Sequence, residues 1–258
     1  MRVGMAVGGA ALVLLGGAAL SWGARSEATS TDVVVGIDSV VLEGGRGDVE
    51  VRHVPGSRGE VTATVSRSWF GAGPGDEAHR RMGSRLVLDT DCGRGCSVDY
   101  VVELPEPVEV SGRLGSGDLR VRGMGAVRAE TGSGEIDVRG VAGPVDVRTS
   151  SGGIELADVD GDLVAETGSG RIEGEGLRGR SVRAHSGSGE VELVAEAPGT
   201  VLVETGSGGI ELTVPDGAYR VLTDTGSGSA DVEVAERRDA PRSLELSTGS
   251  GDIEVRAD

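Results

Sequence analysis

From Leu114 to the C-terminus, apolar and charged residues alternate in short runs, and each run follows a Gly-Ser-Gly corner. Glu135-Ile136-Asp137-Val138-Arg139 is one such run. A period of two puts Ile136 and Val138 on one face of a strand and the charges on the other. A short turn, Gly140 to Gly143, leads into a second run, Val145-Asp146-Val147-Arg148. Later second runs carry inward pairs such as Leu163/Ala165, Val182/Ala184, Val201/Val203 and Leu244/Leu246. No apolar i, i+3, i+4 pattern of useful length occurs, and glycine interrupts nearly every decade of sequence, so helices are disfavoured.

The corners recur at a near-constant interval. Their serines are Ser116, Ser133, Ser151, Ser169, Ser188, Ser207, Ser227 and Ser250, separated by 17, 18, 18, 19, 19, 20 and 23 residues. A repeat of this length that cannot bury its own apolar face signals a solenoid. The expected fold is all-β: a parallel β-solenoid of two sheets, two strands per coil, with copies stacked in chain order about 4.8 Å apart. The threonine before each corner (Thr131, Thr149, Thr167, Thr205, Thr225, Thr248, with Ser186 in the same place) is expected to form a ladder of neighbouring hydroxyls. Residues 31–110 carry the same grammar more loosely, as in Gly45-Arg46-Gly47-Asp48-Val49, and read as irregular first coils before the regular ones of 111–258. Phe70 to Gly83 reads as a loop.

The N-terminus adds an address. Val3 to Trp22 is an uncharged stretch behind Arg2, and a helix of that length crosses a bilayer core. Residues 1–30 are therefore either a membrane anchor with a short linker or a signal peptide cut near Ser26-Glu27-Ala28. Both place residues 31–258 outside the cytoplasmic membrane, as a single ectodomain that is tethered or secreted. Cys92-Gly-Arg-Gly-Cys96 fits export: the glycines let a tight loop close, and a structural disulfide is expected there, with free thiols the alternative. The spacing matches neither a C-x-x-C redox pair nor a zinc site.

Composition narrows the partners. The chain has 42 carboxylates against 25 basic residues, all of them arginine, and a net charge of −17. Nucleic-acid binding is excluded for want of a basic cluster. Aromatics are only 2% of the chain, so the core is aliphatic and thin, and the stacking platforms of polysaccharide-acting β-helix enzymes are missing. The GSG corner is not a phosphate loop, because no Lys follows it and no helix does either. Ser directly between glycines is not a nucleophile elbow. The calcium-binding nonapeptide pattern is absent. Arg46-Gly47-Asp48 follows the corner-strand grammar and needs no integrin reading. His53, His79 and His185 have no partner pattern, and no catalytic or cofactor-binding residues are assigned.

One surface feature stands out. The residue after each corner Ile, Val or Ala is acidic through seven coils: Asp137, Glu155, Glu173, Glu192, Glu211, Asp231 and Glu254. Stacked in a column, these side chains would keep the sheet soluble and resist lateral pairing. They are also the candidate seat for divalent cations or a basic polymer. On the other sheet, Val164, Leu202 and Leu222 point outward and could form a small contact patch.

A leading apolar span, the strand Cys96-Ser-Val-Asp-Tyr-Val-Val-Glu-Leu-Pro105 and serial TGSG-[ED]-I-[ED]-V coils resemble the bacterial putative-adhesin β-strand-repeat family, a domain of unknown function. The resemblance covers about residues 33–258 and implies a β-solenoid ectodomain with no catalytic residues to transfer. The functional expectation is a non-enzymatic, membrane-tethered surface module that binds an envelope or surface ligand. A sensory or regulatory accessory in envelope homeostasis is the alternative, and a polysaccharide-acting enzyme comes third.

Overall fold

The computed structural model describes residues 26–67 and 79–258. The apolar run Val3–Trp22 lies outside them, as does the expected loop up to residue 78. From His79 to Met82 that loop gives way to a strand. Two sheets of twelve strands make up the described chain, with no helix among the described residues. No described helix is therefore long and apolar enough to cross a membrane.

Through the repeats, alternation becomes architecture as expected. Ala126–Ser133, Val145–Ser151, Leu163–Thr167, Ser181–Ser186 and Thr200–Thr205 pair in parallel in one sheet. Ile136–Val141, Ile154–Val159, Ile172–Leu177, Val191–Ala195 and Ile210–Val214 do so in the other. Equivalent residues face each other: Ile136 lies beside Ile154, Ile154 beside Ile172, and Ile172 beside Val191. These four are at most 1% exposed and form one line of the core between the sheets.

The corner explains the glycines. At Gly134, φ is +145°. A Cβ there would stand 2.0 Å from the carbonyl oxygen of Gly117 in the coil below. Coils can stack this closely only where the corner has no side chain. The threonine ladder differs from the expectation. The hydroxyls do not bond to one another. Each reaches across to the second corner glycine of the neighbouring coil: Thr149 donates to the Gly134 carbonyl at 3.2 Å and Thr167 to Gly152 at 2.9 Å. Ser186 donates to Gly170 and Thr205 to Gly189, both at 2.9 Å. The ladder thus satisfies half-buried backbone acceptors with buried hydroxyls, a stronger requirement than hydroxyl contact.

At both ends chain order and stacking order part company. Ser243–Thr248 pairs with Thr200–Thr205 on one side and Ala218–Thr225 on the other. Likewise Ile253–Ala257 lies between Ile210–Val214 and Ala230–Val232. The last coil is therefore inserted, and the coil before it forms the cap. The expected order Ser207, Ser227, Ser250 is corrected to Ser207, Ser250, Ser227. The other end mirrors this. Ser39–Gly45 lies between Arg85–Thr90 and Glu109–Ser116, and Val49–His53 between Cys96–Leu104 and Leu119–Arg122.

Short carboxylates accompany these insertions. Asp99 Oδ1 accepts the Asp48 amide and Asp48 Oδ1 accepts the Asp118 amide, both at 2.9 Å. Asp118 Oδ1 accepts the Glu135 amide at 3.0 Å. At the far end Asp252 Oδ1 accepts both the amide and the hydroxyl of Ser229 at 2.8 Å. Those bonds hold the Asp252 carboxyl below its ordinary range. Serial coils use the same device, as where Asp162 Oδ1 accepts the Ser181 amide at 3.0 Å.

The first part of the chain is only partly solenoidal, which corrects the reading of 31–110 as coils throughout. Glu60–Arg67 pairs antiparallel with Cys96–Leu104, and Ser26–Val33 pairs antiparallel with Glu60–Arg67. His79–Met82 folds back antiparallel on Arg85–Thr90. The two described tyrosines sit near the ends, at 1% and 0% exposure for Tyr100 and Tyr219. Tyr100 donates to the Asp89 carbonyl at 2.9 Å and Tyr219 to the Pro215 carbonyl at 2.8 Å, so each fills a wider end of the core with its hydroxyl satisfied. Burial pushes both phenols up from their ordinary value.

Candidate functional site

Parallel in-register pairing places the acidic series in one column on the outer face of its sheet. In space it runs Arg120, Asp137, Glu155, Glu173, Glu192, Glu211, Glu254, Asp231, with Glu50 beyond Arg120. The last two members exchange places relative to the sequence, because the final coil is inserted.

The column is threaded with arginine. Arg139 Nε stands 2.6 Å from Asp137 and its Nη2 2.9 Å from Glu155. Arg122 reaches Asp137 at 3.4 Å. Arg171 sits 2.8 Å from Glu173 and 3.7 Å from Glu192, and Arg256 pairs with Glu254. Glu211 and Asp231 make no ion pair among the described residues. Asp137 is covered by its two arginines and is only 7% exposed. The guanidinium of Arg139 is held above its ordinary value by Asp137 first and Glu155 after it. One carboxyl runs the other way: Glu135, in the corner position beside Glu155, is held above the ordinary carboxylate range by burial and then by the hydrogen bond and charge of Glu155. Among the described residues no three His, Cys, Asp or Glu side chains converge closely enough to hold a metal ion.

Sequence reasoning missed a shallow groove of about 240 Å³ on this face, bordered by Arg139, Glu155, Ala157, Glu175, Glu192 and Val194. The backbone beneath it is irregular. Gly174 stands where neighbouring coils have Leu156 and Leu193, and the register slips between Gly174 and Leu177. A Cβ on Gly174 would meet Leu193 Cδ2 at 2.9 Å, so Leu193 and Leu177 fill the space that a side chain would take.

The corner serines, Ser116 through Ser250, are exposed along one edge of the stack. At the N-terminal end of that edge Arg46 takes the serine position and bridges to Ser116. Asp48 of the Arg46-Gly47-Asp48 tripeptide is engaged by the Asp118 amide, in keeping with a structural corner. Cys92 and Cys96 form a disulfide, S–S 2.06 Å, that closes the broader corner of the neighbouring coil. Beside it lies a concavity of about 430 Å³ bordered by Arg46, Asp91, Arg94 and Ser116. The three histidines remain apart: His53 faces the Pro105 carbonyl, His79 faces Asp32 and His185 faces Glu204.

The expected contact patch does not form. Val164, Leu202 and Leu222 share one column, but Arg183 separates the first two and Glu245 the second two. Leu222 alone is strongly exposed, at 59%.

Corner glycines, a buried hydroxyl ladder and two parallel sheets around an aliphatic core define a β-solenoid repeat domain. The chain belongs to the Toastrack DUF4097 family, whose model matches residues 97–258. No curated protein matches it. Its fold is shared with a putative adhesin from Bacteroides fragilis, at 13% identity and a TM-score of 0.54, covering 90% of this chain and 97% of that one. A putative adhesin from Parabacteroides distasonis is similar at 10% identity and a TM-score of 0.49, covering 88% of this chain and 97% of that one.

Proposed function

We propose that this chain is a non-enzymatic interaction module held outside the cytoplasmic membrane by its apolar N-terminal segment. The observation that carries the reading is the outer sheet face itself. One side-chain position repeats coil after coil on a glycine-cornered scaffold, which suits an extended contact with a repetitive ligand better than chemistry at a point. The fold shared with a protein named as a putative adhesin supports the same reading. The Cys92–Cys96 disulfide fits an oxidising compartment. On this reading the acidic face, with arginines set beside Asp137, Glu155, Glu173 and Glu254, and its groove meet an envelope or surface polymer.

The test is binding by intact cells that carry the full chain. Adhesion to purified cell-wall polymers and host-matrix surfaces should exceed that of cells lacking it. Arg139→Glu with Arg171→Glu should lower adhesion without loss of surface display. Equal adhesion by all three strains across the panel would remove the proposal.

A further inference from the structure

Three of the four large apolar side chains that stand exposed among the described residues lie at one end of the stack. Val33, Val35 and Met82 are 63%, 59% and 60% exposed, and only Leu222 lies elsewhere. Strand Ser26–Val33 is the last of its sheet at that end, and His79–Met82 is the last of the other. Between Val33 and Val35, Val34 is buried, and its amide donates to the Gly59 carbonyl at 2.9 Å. Alternation therefore turns Val33 and Val35 the same way, off the core. The turn after Met82 lies beside them: the Asp38 amide donates to the Ser84 carbonyl at 2.8 Å, and Asp32 stands 3.5 Å from His79.

We infer that this end docks on the outer surface of the membrane that holds the apolar segment, with Val33, Val35 and Met82 set into the lipid interface. The inference rests on the tether proposed above. The place where the apolar run ends supports it. Three residues separate Trp22 from Ser26. Four residue steps reach at most about 14 Å, so the tether keeps Ser26 close to the bilayer. From there the end strand runs eight residues, about 26 Å, to Val33. The covalent link thus holds one rim of the end, and the exposed apolar side chains lie at the other. A single flexible link would let the stack swing or lie down. Two attachments a strand's length apart set its end flat and its long axis away from the bilayer.

Charge permits the contact at this end. The chain as a whole carries −17, which an anionic lipid surface repels. Residues 26–38, 58–67 and 79–85, however, hold five arginines against four carboxylates. Arg58, Arg81 and Arg85 are exposed and make no ion pair among the described residues. Three side chains in an interface bind weakly alone, but the tether raises their effective concentration at the bilayer to about the millimolar range. The acidic column then stands clear of the membrane. Asp137 lies five strands from Ser26–Val33 and Asp231 eleven. At about 4.8 Å per strand those are about 24 Å and about 53 Å. Both exceed the Debye length of about 8 Å, so the column meets its ligand unscathed by the charge of the bilayer.

Tryptophan fluorescence of the full chain in vesicles of equal parts phosphatidylethanolamine and phosphatidylglycerol tests this. In a Trp22→Phe/Trp69→Phe background, Val35→Trp places the only tryptophan in the patch, and Leu222→Trp places it at the far end. Circular dichroism confirms that each variant is folded, and flotation with the vesicles reads the tether separately. The Val35→Trp emission should shift to the blue and fall by about half with lipid brominated in the upper acyl chain, since interfacial groups sit about 5–10 Å into the bilayer. The Leu222→Trp emission should do neither. Adding Val33→Asp and Met82→Asp should abolish the quenching of Val35→Trp and leave flotation intact. Quenching of Val35→Trp no greater than that of Leu222→Trp, in chains that float, would overturn the inference and leave the tether standing. A blue-shifted Val35→Trp emission that bromine does not reach would mean that protein covers the patch, and overturns it as well. Failure to float removes the tether and the inference together, whereas the adhesion panel tests the ligand-binding face alone.

Discussion

The middle of the stack and its two ends obey different rules. Between residues 126 and 195 each coil lies beside its neighbours in sequence, and any coil carries nearly the same inward residues as the next. Glycine corners and threonine hydroxyls fix spacing and register there, but they are equally satisfied by any pair of coils. At the ends the chain must choose a neighbour, and the choice departs from sequence order. Aspartates that accept an amide of the adjacent coil are concentrated there, as at Asp48, Asp99 and Asp252, although serial coils use the same bridge at Asp118 and Asp162. Repetition leaves any two coils nearly interchangeable partners, and the departures from sequence order fall where the repeat itself is irregular.

The largest effect tests the order itself. Leu202 and Glu245 are direct partners in the column, whereas Leu202 and Leu222 lie on either side of Glu245. Oxidation should join Leu202→Cys to Glu245→Cys within one chain and should leave the Leu202→Cys/Leu222→Cys pair unjoined. A mass-mapped bond in the second pair would restore serial stacking.

Corner sterics come next. Gly134→Ala drives a methyl group against the Gly117 carbonyl and forces a strained φ, so it should cost about 3–5 kcal/mol in denaturant unfolding. At Gly44 φ is not positive and a methyl group would meet nothing within 4 Å. Gly44→Ala is therefore the matched control and should be nearly silent. Equal losses at both positions would mean that the corner is not the constraint.

A smaller loss is expected from the ladder. Thr167→Val keeps shape but strips the donor from the half-buried Gly152 carbonyl, which should cost about 1–2 kcal/mol. A change within error of zero would show that water replaces the hydroxyl there.

The subtlest test is acid. The Asp252 carboxyl has a lower pKa folded than unfolded, so the folded state binds the proton less readily. Its contribution is complete above the unfolded value, about 3.9, and is lost as pH falls through the lower folded value. Wild type should therefore lose stability more steeply than Asp252→Ala in melts recorded below about pH 4. Parallel curves would dissociate the cap from this carboxylate.

Much of this molecule is legible in one dimension. Period-two alternation named the strands, the inward aliphatic pairs and the outward acidic column from Asp137 to Glu254. Serine spacing named the coil. Even the end has a trace in sequence, since the interval from Ser227 to Ser250 is the longest, at 23 residues. The strand Ser26–Val33 and the antiparallel direction of Glu60–Arg67 escaped, because alternation reports which face is buried and is blind to strand direction. The groove escaped because its border is drawn from four coils, at Arg139, Ala157, Glu175 and Val194, whose relief depends on how those coils lie against one another.

The sequence by itself determined the local conformation and the coil, because alternation, corner glycine and hydroxyl act within one repeat or between any two. Only the tertiary structure decided who stacks on whom and which arginine lies between which carboxylates. Those are relations between coils with almost the same interior, so the inward pattern cannot rank them. They are settled by the few contacts made when the whole stack closes: a tyrosine filling an end, and a last coil inserted between its two predecessors.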